Sequence, residues 1–133
     1  MCDVSKENVN VAKRIYEAFG RGDIPAVFEQ FNPNIEWIAA DNSPAAVGSP
    51  YHGLEAVRDG VFARTDSLFD GFTIEVEELL DAGDKVVMLG YYLATHKVTG
   101  KKIRAQVAHI WTVSSGKAAK FQQYTDTYQL AGL

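Results

Sequence analysis

The fold class of this chain follows from residues 85–113, which read KVVMLGYYLATHKVTGKKIRAQVAHIWTV. The residues of this stretch follow the alternating period of β-strands on both sides of Thr99-Gly100, a pair typical of tight turns. A connection this short joins neighbouring antiparallel strands. The stretch therefore predicts a hairpin of two long strands, Lys85–Lys97 and Lys102–Val113.

The same alternation extends on both sides of this hairpin, from Gly71 to the end of the chain. It predicts two more strands, Phe72–Leu80 and Ala118–Leu130. Turn residues connect them to the hairpin at Ala82-Gly83-Asp84 and at Ser114-Ser115-Gly116. The second half of the chain is therefore expected to form an antiparallel meander.

The residues before Gly71 favour helices instead. A first helix has Ser5 as its N-cap and ends at Gly20 and Gly22, and Asp23 caps a short second helix with Pro25 in its first turn. A strand at 35–39, a loop at 41–53 rich in Pro and Gly, and a third helix follow. The apolar stripes lie at helical spacing: Val11, Ala12, Ile15, Ala18 and Phe19 in the first helix, Val27, Phe28 and Phe31 in the second, and Leu54, Val57, Val61, Phe62 and Leu68 in the third.

Helices first and strands last predict an α+β fold, with three helices from the N-terminal half packed on one face of a strongly curved, mostly antiparallel sheet. The chain has 133 residues, of which 47% are hydrophobic and 23% charged, which is typical of one globular domain spanning 1–133. The formal net charge is −4 and the basic residues are dispersed, so nucleic-acid binding is not expected.

The chain shows no sign of a membrane or secretory location. No apolar run reaches the roughly 20 residues of a membrane span, and the start lacks a signal-peptide pattern. The single cysteine, Cys2, has no partner for a disulfide. We therefore expect a cytoplasmic protein.

Three stretches resemble signatures of the nuclear-transport-factor-2-like superfamily, in its SnoaL-like and ketosteroid isomerase-like branch. They are Gly22-Asp23 with FNPNIEW at 31–37, YHGLEAV at 51–57, and HIWTV at 109–113 followed by Gly116-Lys117, Phe121, Tyr124 and Asp126-Thr127. The resemblance implies a cystatin-like cone around an apolar pocket, a small apolar ligand and a homodimer. Members of this superfamily include isomerases, polyketide cyclases, dehydratases and hydrolases, and also pockets without known chemistry, so the fold does not choose among them.

The catalytic residues of ketosteroid isomerase have no counterparts in this chain. In that enzyme an Asp base faces an oxyanion hole formed by a Tyr and a protonated Asp. Matched on the motifs above, these positions hold Ala39, Ile15 and His109. Tyr16 is the neighbour of Ile15 but is turned away from it by about 100° on a helix. Steroid isomerisation by the usual mechanism is therefore not expected.

The pattern of the SnoaL-like cyclases fits better, because His109 and Asp126 match their penultimate-strand His and last-strand Asp. In an apolar cavity an Asp has a raised pKa and can remove a C–H proton next to a carbonyl, while a His donates to the enolate oxygen. No nucleotide loop or metal-spaced cluster is present, so no cofactor and no metal are expected. The predicted function is a cofactor-independent isomerase, cyclase or dehydratase that acts on an apolar carbonyl compound. The alternatives are a non-catalytic module for a hydrophobic ligand and a dimerisation domain.

Strand alternation selects the remaining pocket candidates. Trp37 is expected in the pocket wall and Tyr92 on the inner face of its strand, while Trp111 belongs to the pocket or to the core. A symmetric turn at 114–116 places Gln122 across from His109. Gln122, Tyr124 and Asp126 share one face of the last strand, so all three face the pocket together unless a β-bulge intervenes. The opposite face, with Ala119, Phe121, Gln123, Thr125 and Thr127, remains the alternative.

Both catalytic candidates also have a structural alternative. Asp126 would then be an exposed strand-end carboxylate or a cap, and His109 would be a core histidine. For the homodimer, the outer sheet face is expected at or near a two-fold interface. Its residues are Tyr91, Leu93, Ile110 and Thr112.

Overall fold

A computed structural model describes residues 4–133 of the chain, and Cys2 lies outside the described residues. The helices are α1 (Val4–Gly20), α2 (Ile24–Glu29), α3 and α4 (Thr127–Leu130). Helix α3 begins as an α-helix at Leu54–Val57, continues as a π-helix at Arg58–Phe62 and ends as an α-helix at Ala63–Leu68. The strands are β1 (Phe31–Ile38), β2 (Tyr51–His52), β3 (Phe69–Ala82), β4 (Lys85–His96), β5 (Lys102–Ser114) and β6 (Lys117–Thr125).

The strands form one six-stranded sheet in the order β2-β1-β6-β5-β4-β3. All neighbours are antiparallel except β1 and β6, which run parallel. The predicted α+β class and the antiparallel meander are therefore confirmed. Helices α1 and α3 cover the inner face of the sheet, and none of the described helices is long and apolar enough to span a membrane.

The sequence signals of the first two helices are confirmed at the start of α2 and differ from the structure at two residues. The carboxylate of Asp23 accepts a hydrogen bond from the Ala26 N–H at 3.1 Å, and Pro25 lies in the first turn of α2. Ser5 lies within α1 and is not its N-cap. Phe31 was expected on α2 but begins β1, where its buried ring packs against Trp37.

The predicted last strand, Ala118–Leu130, is wrong beyond Thr125. Asp126 instead begins a helical turn, because its side chain accepts a hydrogen bond from the Gln129 N–H at 3.2 Å. This turn carries Leu130 back onto the sheet, where it is buried. Leu130, which the alternating pattern placed at the end of the last strand, thus reaches the core from a helix.

A β-bulge sets the register between β5 and β6. Ser114 pairs with Lys117 and Val113 with Ala118, but Thr112 already pairs with Lys120, so that Ala119 is the extra residue. Beyond the bulge His109 pairs with Gln123, one residue further than a symmetric hairpin allows. A one-residue shift exchanges the two faces of a strand. The inner face of β6 therefore presents Phe121 and Gln123.

Candidate active site

The inner face of the sheet and the helices surround a cavity of about 610 Å³. Its charged wall residues, Arg58 and Asp66, are exposed and lie where the cavity meets solvent. Most of the remaining wall is apolar, and aromatic rings dominate it. The ring-bearing wall residues are Tyr16, Phe19, Phe31, Trp37, Phe62, Phe69, Phe72, Tyr92, Trp111 and Phe121.

His109 lies at the centre of the polar part of this wall. Strand alternation points its side chain inward from β5, and only 3% of the residue is exposed. Its Nε2 is 2.5 Å from Tyr92 Oη on β4, and its Nδ1 is 2.7 Å from Tyr16 Oη on α1. The imidazole therefore joins two phenols, and we name Tyr16, His109 and Tyr92 the relay.

Each end of the relay accepts one further hydrogen bond. Gln123 Nε2 donates to Tyr92 Oη at 2.7 Å, and Trp111 Nε1 donates to Tyr16 Oη at 2.8 Å. The Ala40 N–H donates to Gln123 Oε1 at 3.1 Å, which fixes the orientation of the Gln123 amide. Donors from β5 and β6 thus hold both phenol oxygens in place.

Burial keeps all three relay groups uncharged near neutral pH. Loss of water around the imidazole lowers the pKa of His109 to about 3. Burial also raises the pKa of Tyr92, although the hydrogen bond from Gln123 opposes the shift. The pKa of Tyr16 is raised mainly by burial and further by Tyr92, against the hydrogen bond from Trp111. A neutral imidazole carries a single N–H, and which nitrogen bears it follows from its partners.

The relay holds one proton more than its hydrogen bonds use. The relay carries three protons, one on each phenol and one on the neutral imidazole. Only two hydrogen bonds lie within the relay, so one of these protons is left over. If the His109 proton is on Nδ1, the surplus O–H belongs to Tyr16, and if it is on Nε2, it belongs to Tyr92. Either way a phenolic proton at the cavity wall lacks an acceptor within the relay.

The sequence and the geometry match a known family. The model of the SnoaL-like domain matches residues 12–121, which is most of the chain. The chain belongs to the SnoaL-like domain family. No curated protein sequence matches this SnoaL-like domain.

Solved structures share the fold of this SnoaL-like domain. An NTF2-like protein from Burkholderia thailandensis is 34% identical, covers 94% of this chain and 95% of its own, and superposes with a TM-score of 0.88. TerC, co-crystallised with polyporic acid, is 22% identical over 96% and 97% of the two chains, with a TM-score of 0.85. A Jannaschia protein named as a SnoaL-like polyketide cyclase is 16% identical over 98% and 93%, with a TM-score of 0.82. At these identities the last two show the fold alone.

Four of the residues singled out from the sequence line the cavity of the SnoaL-like domain. They are Trp37, Tyr92, His109 and Trp111. The Trp37 ring stacks on Phe121 at 3.8 Å between ring centroids. Its buried indole N–H has no acceptor within the described part of the chain. Whether these residues bind substrate stays a prediction.

The other three candidates do not line the cavity, and the expectation that Asp126 and His109 border it together is wrong. Asp126 is exposed and caps α4, in agreement with the structural alternative to a catalytic role. Gln122 and Tyr124 point to the outer face, and Tyr124 is 56% exposed. The bulge at Ala119 explains these differences, because it turns Gln123 toward His109 and Gln122 away from it.

Tyr16 and Gln123 were not among the site residues predicted from the sequence. Tyr16 was expected to turn away from the position of Ile15, yet both residues line the cavity. The sequence does offer one signal for Tyr16, which is a polar aromatic residue directly next to the apolar stripe of the first helix. Gln123 lies on the face of β6 that was the alternative in the sequence-based prediction. Among residues 4–133, no three His, Cys, Asp or Glu side chains come together as a metal site.

Proposed function

We propose that this SnoaL-like domain is a cofactor-independent enzyme that moves protons on a small apolar carbonyl compound held in the cavity. The relay is the observation that carries the proposal. It places two phenols on either side of an imidazole at the wall of a mostly apolar cavity. Such an arrangement can give a proton at one end while it takes one at the other.

The proposed step begins with the surplus proton on Tyr16, which donates to the substrate carbonyl oxygen. As this proton transfers, His109 Nδ1 returns a proton to Tyr16 Oη, and Tyr92 gives its proton to Nε2. The Tyr92 oxygen then accepts the proton that leaves the substrate carbon next to the carbonyl. One proton has left carbon and one has joined oxygen, so the substrate becomes an enol.

The protein ends this step in its other hydrogen-bond arrangement, with the surplus proton on Tyr92. Return of that proton to a different carbon, and of the enol proton to Tyr16, completes an isomerisation and resets the relay. No free phenolate or imidazolium accumulates, which suits groups whose charged forms burial disfavours. The names of two structural relatives, a polyketide cyclase and a complex with polyporic acid, agree with a carbonyl-rich ligand.

A second candidate is a non-catalytic binding domain for a hydrophobic ligand. It is favoured by the position of Asp126 outside the cavity, which removes the predicted carboxylate base. The exposed Asp66 is then the only carboxylate in the described wall. Catalysis therefore has to depend on the relay.

The test is deuterium exchange next to the carbonyl of ring ketones, followed by NMR in D2O. We expect exchange of at least one bound ketone, and a loss of about 100-fold or more in Tyr16→Phe and in Tyr92→Phe, because each breaks the relay. Tyr91→Phe is the matched control, since this neighbour lies on the outer face of β4. Ketones that bind without any exchange would favour the second candidate, and full activity in both relay variants would refute the mechanism.

A further inference from the structure

We infer that the cavity selects its ligand in the uncharged form, and that the group it recognises is a neutral acceptor oxygen on a planar ring system. This inference rests on the binding half of the proposed function and not on catalysis. It follows from three features of the wall: the surplus phenolic proton, the aromatic lining and the distribution of charged groups.

The surplus proton requires an acceptor. A buried O–H without a partner is unfavourable, whereas a carbonyl oxygen of the ligand satisfies it in either hydrogen-bond arrangement of the relay. A group that only donates, such as an ammonium, leaves the surplus proton without an acceptor. It also cannot donate to the phenol oxygen that bears this proton, because that oxygen already accepts from His109 and from Gln123 or Trp111. The relay therefore favours ketone and quinone oxygens over groups that only donate.

The aromatic lining selects flat, unsaturated rings. Phe31, Trp37 and Trp111 pack against one another with ring centroids 5.7 to 5.8 Å apart. Tyr92 also contacts Phe72, with ring centroids 4.9 Å apart. Such walls contact the face of a planar ligand over a large area. A cavity of about 610 Å³ is large enough for a molecule of two or more fused rings.

Charged groups are kept away from the buried part of the wall. The titratable wall residues are Tyr16 on α1, Arg58 and Asp66 on α3, Tyr92 on β4 and His109 on β5. Only Arg58 and Asp66 carry a charge at neutral pH, and both are exposed. The Arg58 guanidinium is already paired, since its Nε is 3.0 Å from Asp59 Oδ1 and its Nη2 is 3.9 Å from Glu55 Oε1. An anion bound against the relay therefore has no counterion.

The magnitudes favour the neutral ligand. One hydrogen bond from a phenol to an anion is worth about 10- to 100-fold in affinity. Burial of an unpaired carboxylate weakens binding by more than about 1,000-fold. The penalty exceeds the gain, so an ionisable ligand binds after it has taken up a proton.

This selection has a pH signature that belongs to the ligand. The pKa of His109 is lowered to about 3 and those of Tyr16 and Tyr92 are raised, so the relay keeps its protons across the neutral range. The affinity for a neutral ketone should therefore be flat from about pH 5 to 9. For a carboxylic acid it should rise as the pH falls through the pKa of that acid.

The experiment uses three probes of similar size: 2-acetylnaphthalene, 2-naphthoic acid and naphthalene. Titration calorimetry of the full chain should show the ketone binding about 10-fold more tightly than naphthalene, through one hydrogen bond. At pH 7 the naphthoate should bind at least about 100-fold more weakly than the ketone. Naphthoate binding as tight as the ketone at pH 7 would overturn the inference, and so would a ketone affinity that changes with pH.

Two variants identify the groups responsible. In the double variant Tyr16→Phe/Tyr92→Phe the preference for the ketone over naphthalene should disappear, while Tyr91→Phe keeps it. Arg58→Met should leave the weak naphthoate binding unchanged, and a loss there would show that Arg58 holds the anion, against the inference. The wild-type comparison stands even if the double variant does not fold. Because none of these readouts requires turnover, selective binding without exchange would leave this inference intact while the catalytic proposal fails.

Discussion

Burial decides the charge of His109, and it links this one residue to the stability of the whole domain. The folded state lowers its pKa from the ordinary 6.5 to about 3. Between these values the unfolded chain binds a proton at this site and the folded chain does not, so stability falls as the pH drops. Protonation of this site in the unfolded chain therefore leaves the free energy of unfolding unaffected well above pH 6.5 and lowers it progressively as the pH falls from 6.5 toward 3.

We predict that acidification from pH 7 to pH 5 lowers the free energy of unfolding by about 2 kcal/mol through this residue. Urea unfolding at a series of pH values measures the effect. The variant His109→Gln should lose this part of the pH dependence, whereas His52→Gln, at an exposed position, should retain it. An unchanged slope in His109→Gln would show that His109 does not become charged on unfolding.

Asp126 acts through the backbone of α4 and not through the cavity. Its carboxylate accepts from Gln129 N–H, so Asp126→Ala should lower the free energy of unfolding by about 1 kcal/mol. Asp126→Asn should be nearly neutral, because Asn caps helices equally well. Both variants should bind 2-acetylnaphthalene as the wild type does in calorimetry. A 10-fold loss of affinity in Asp126→Asn without a loss of stability would restore Asp126 as a site residue.

A close approach of β3 and β4 explains the glycine at position 90 in β4. A Cβ at Gly90 would lie 2.0 Å from the Glu75 carbonyl oxygen on β3 and 3.1 Å from Met88 Sδ. The register of these strands shifts between Val76 and Glu78, beside this contact. The glycine thus lets β3 bend over the inner face.

Gly90→Ala should therefore destabilise the domain by about 2 kcal/mol or more, because backbone has to move to relieve the overlap. Gly20→Ala is the control, since a Cβ at the end of α1 meets nothing within 4 Å. Urea unfolding of both variants measures the difference. Equal stability of the two would mean that the contact between β3 and β4 yields easily.

The elements differ in how well the sequence predicts them. Period, caps and turns are local signals, and they located α1, α2, three of the long strands and the start of the fourth to within a few residues. The bulge at Ala119 has no comparable signal, because a bulge is defined by the pairing of two strands and not by spacing within one of them. That single residue decided which face of β6 enters the cavity. The fold was therefore predictable from local patterns, whereas the site depended on register.

The relay shows the same dependence on tertiary geometry. His109 and Tyr92 were selected because alternation fixes the face of a strand. Tyr16 requires the position of α1 over the sheet, and Gln123 requires the bulge. Neither can be read from spacing along the chain.

The described part of the chain leaves the outer face of the sheet without a cover. Tyr91, Leu93, Ile110 and Thr112 are half-buried on this face, and the Arg104 guanidinium lies 3.8 Å from the centre of the Tyr91 ring. We predict that two copies pair through this face. Sedimentation should show a dimer at micromolar concentration for the wild type and a monomer for Ile110→Asp.

The control for this prediction is Val98→Asp. Val98 is 84% exposed in the turn between β4 and β5, away from the proposed interface. This variant should remain a dimer. A wild-type monomer at micromolar concentration would exclude the predicted assembly.

The parallel pairing of β1 with β6 has a consequence for how the protein is made. Trp37 meets its stacking partner Phe121 across more than half the length of the chain, and Ile38 pairs with Gln122. Contacts so distant in sequence form slowly, and on the ribosome they have to wait until the second partner has emerged. Until then the early helices and β1 expose the aromatic side chains that later wall the cavity. In the nascent chain these aromatic side chains therefore lack their final packing partners until β6 has been made, and the cavity is completed only with this last strand.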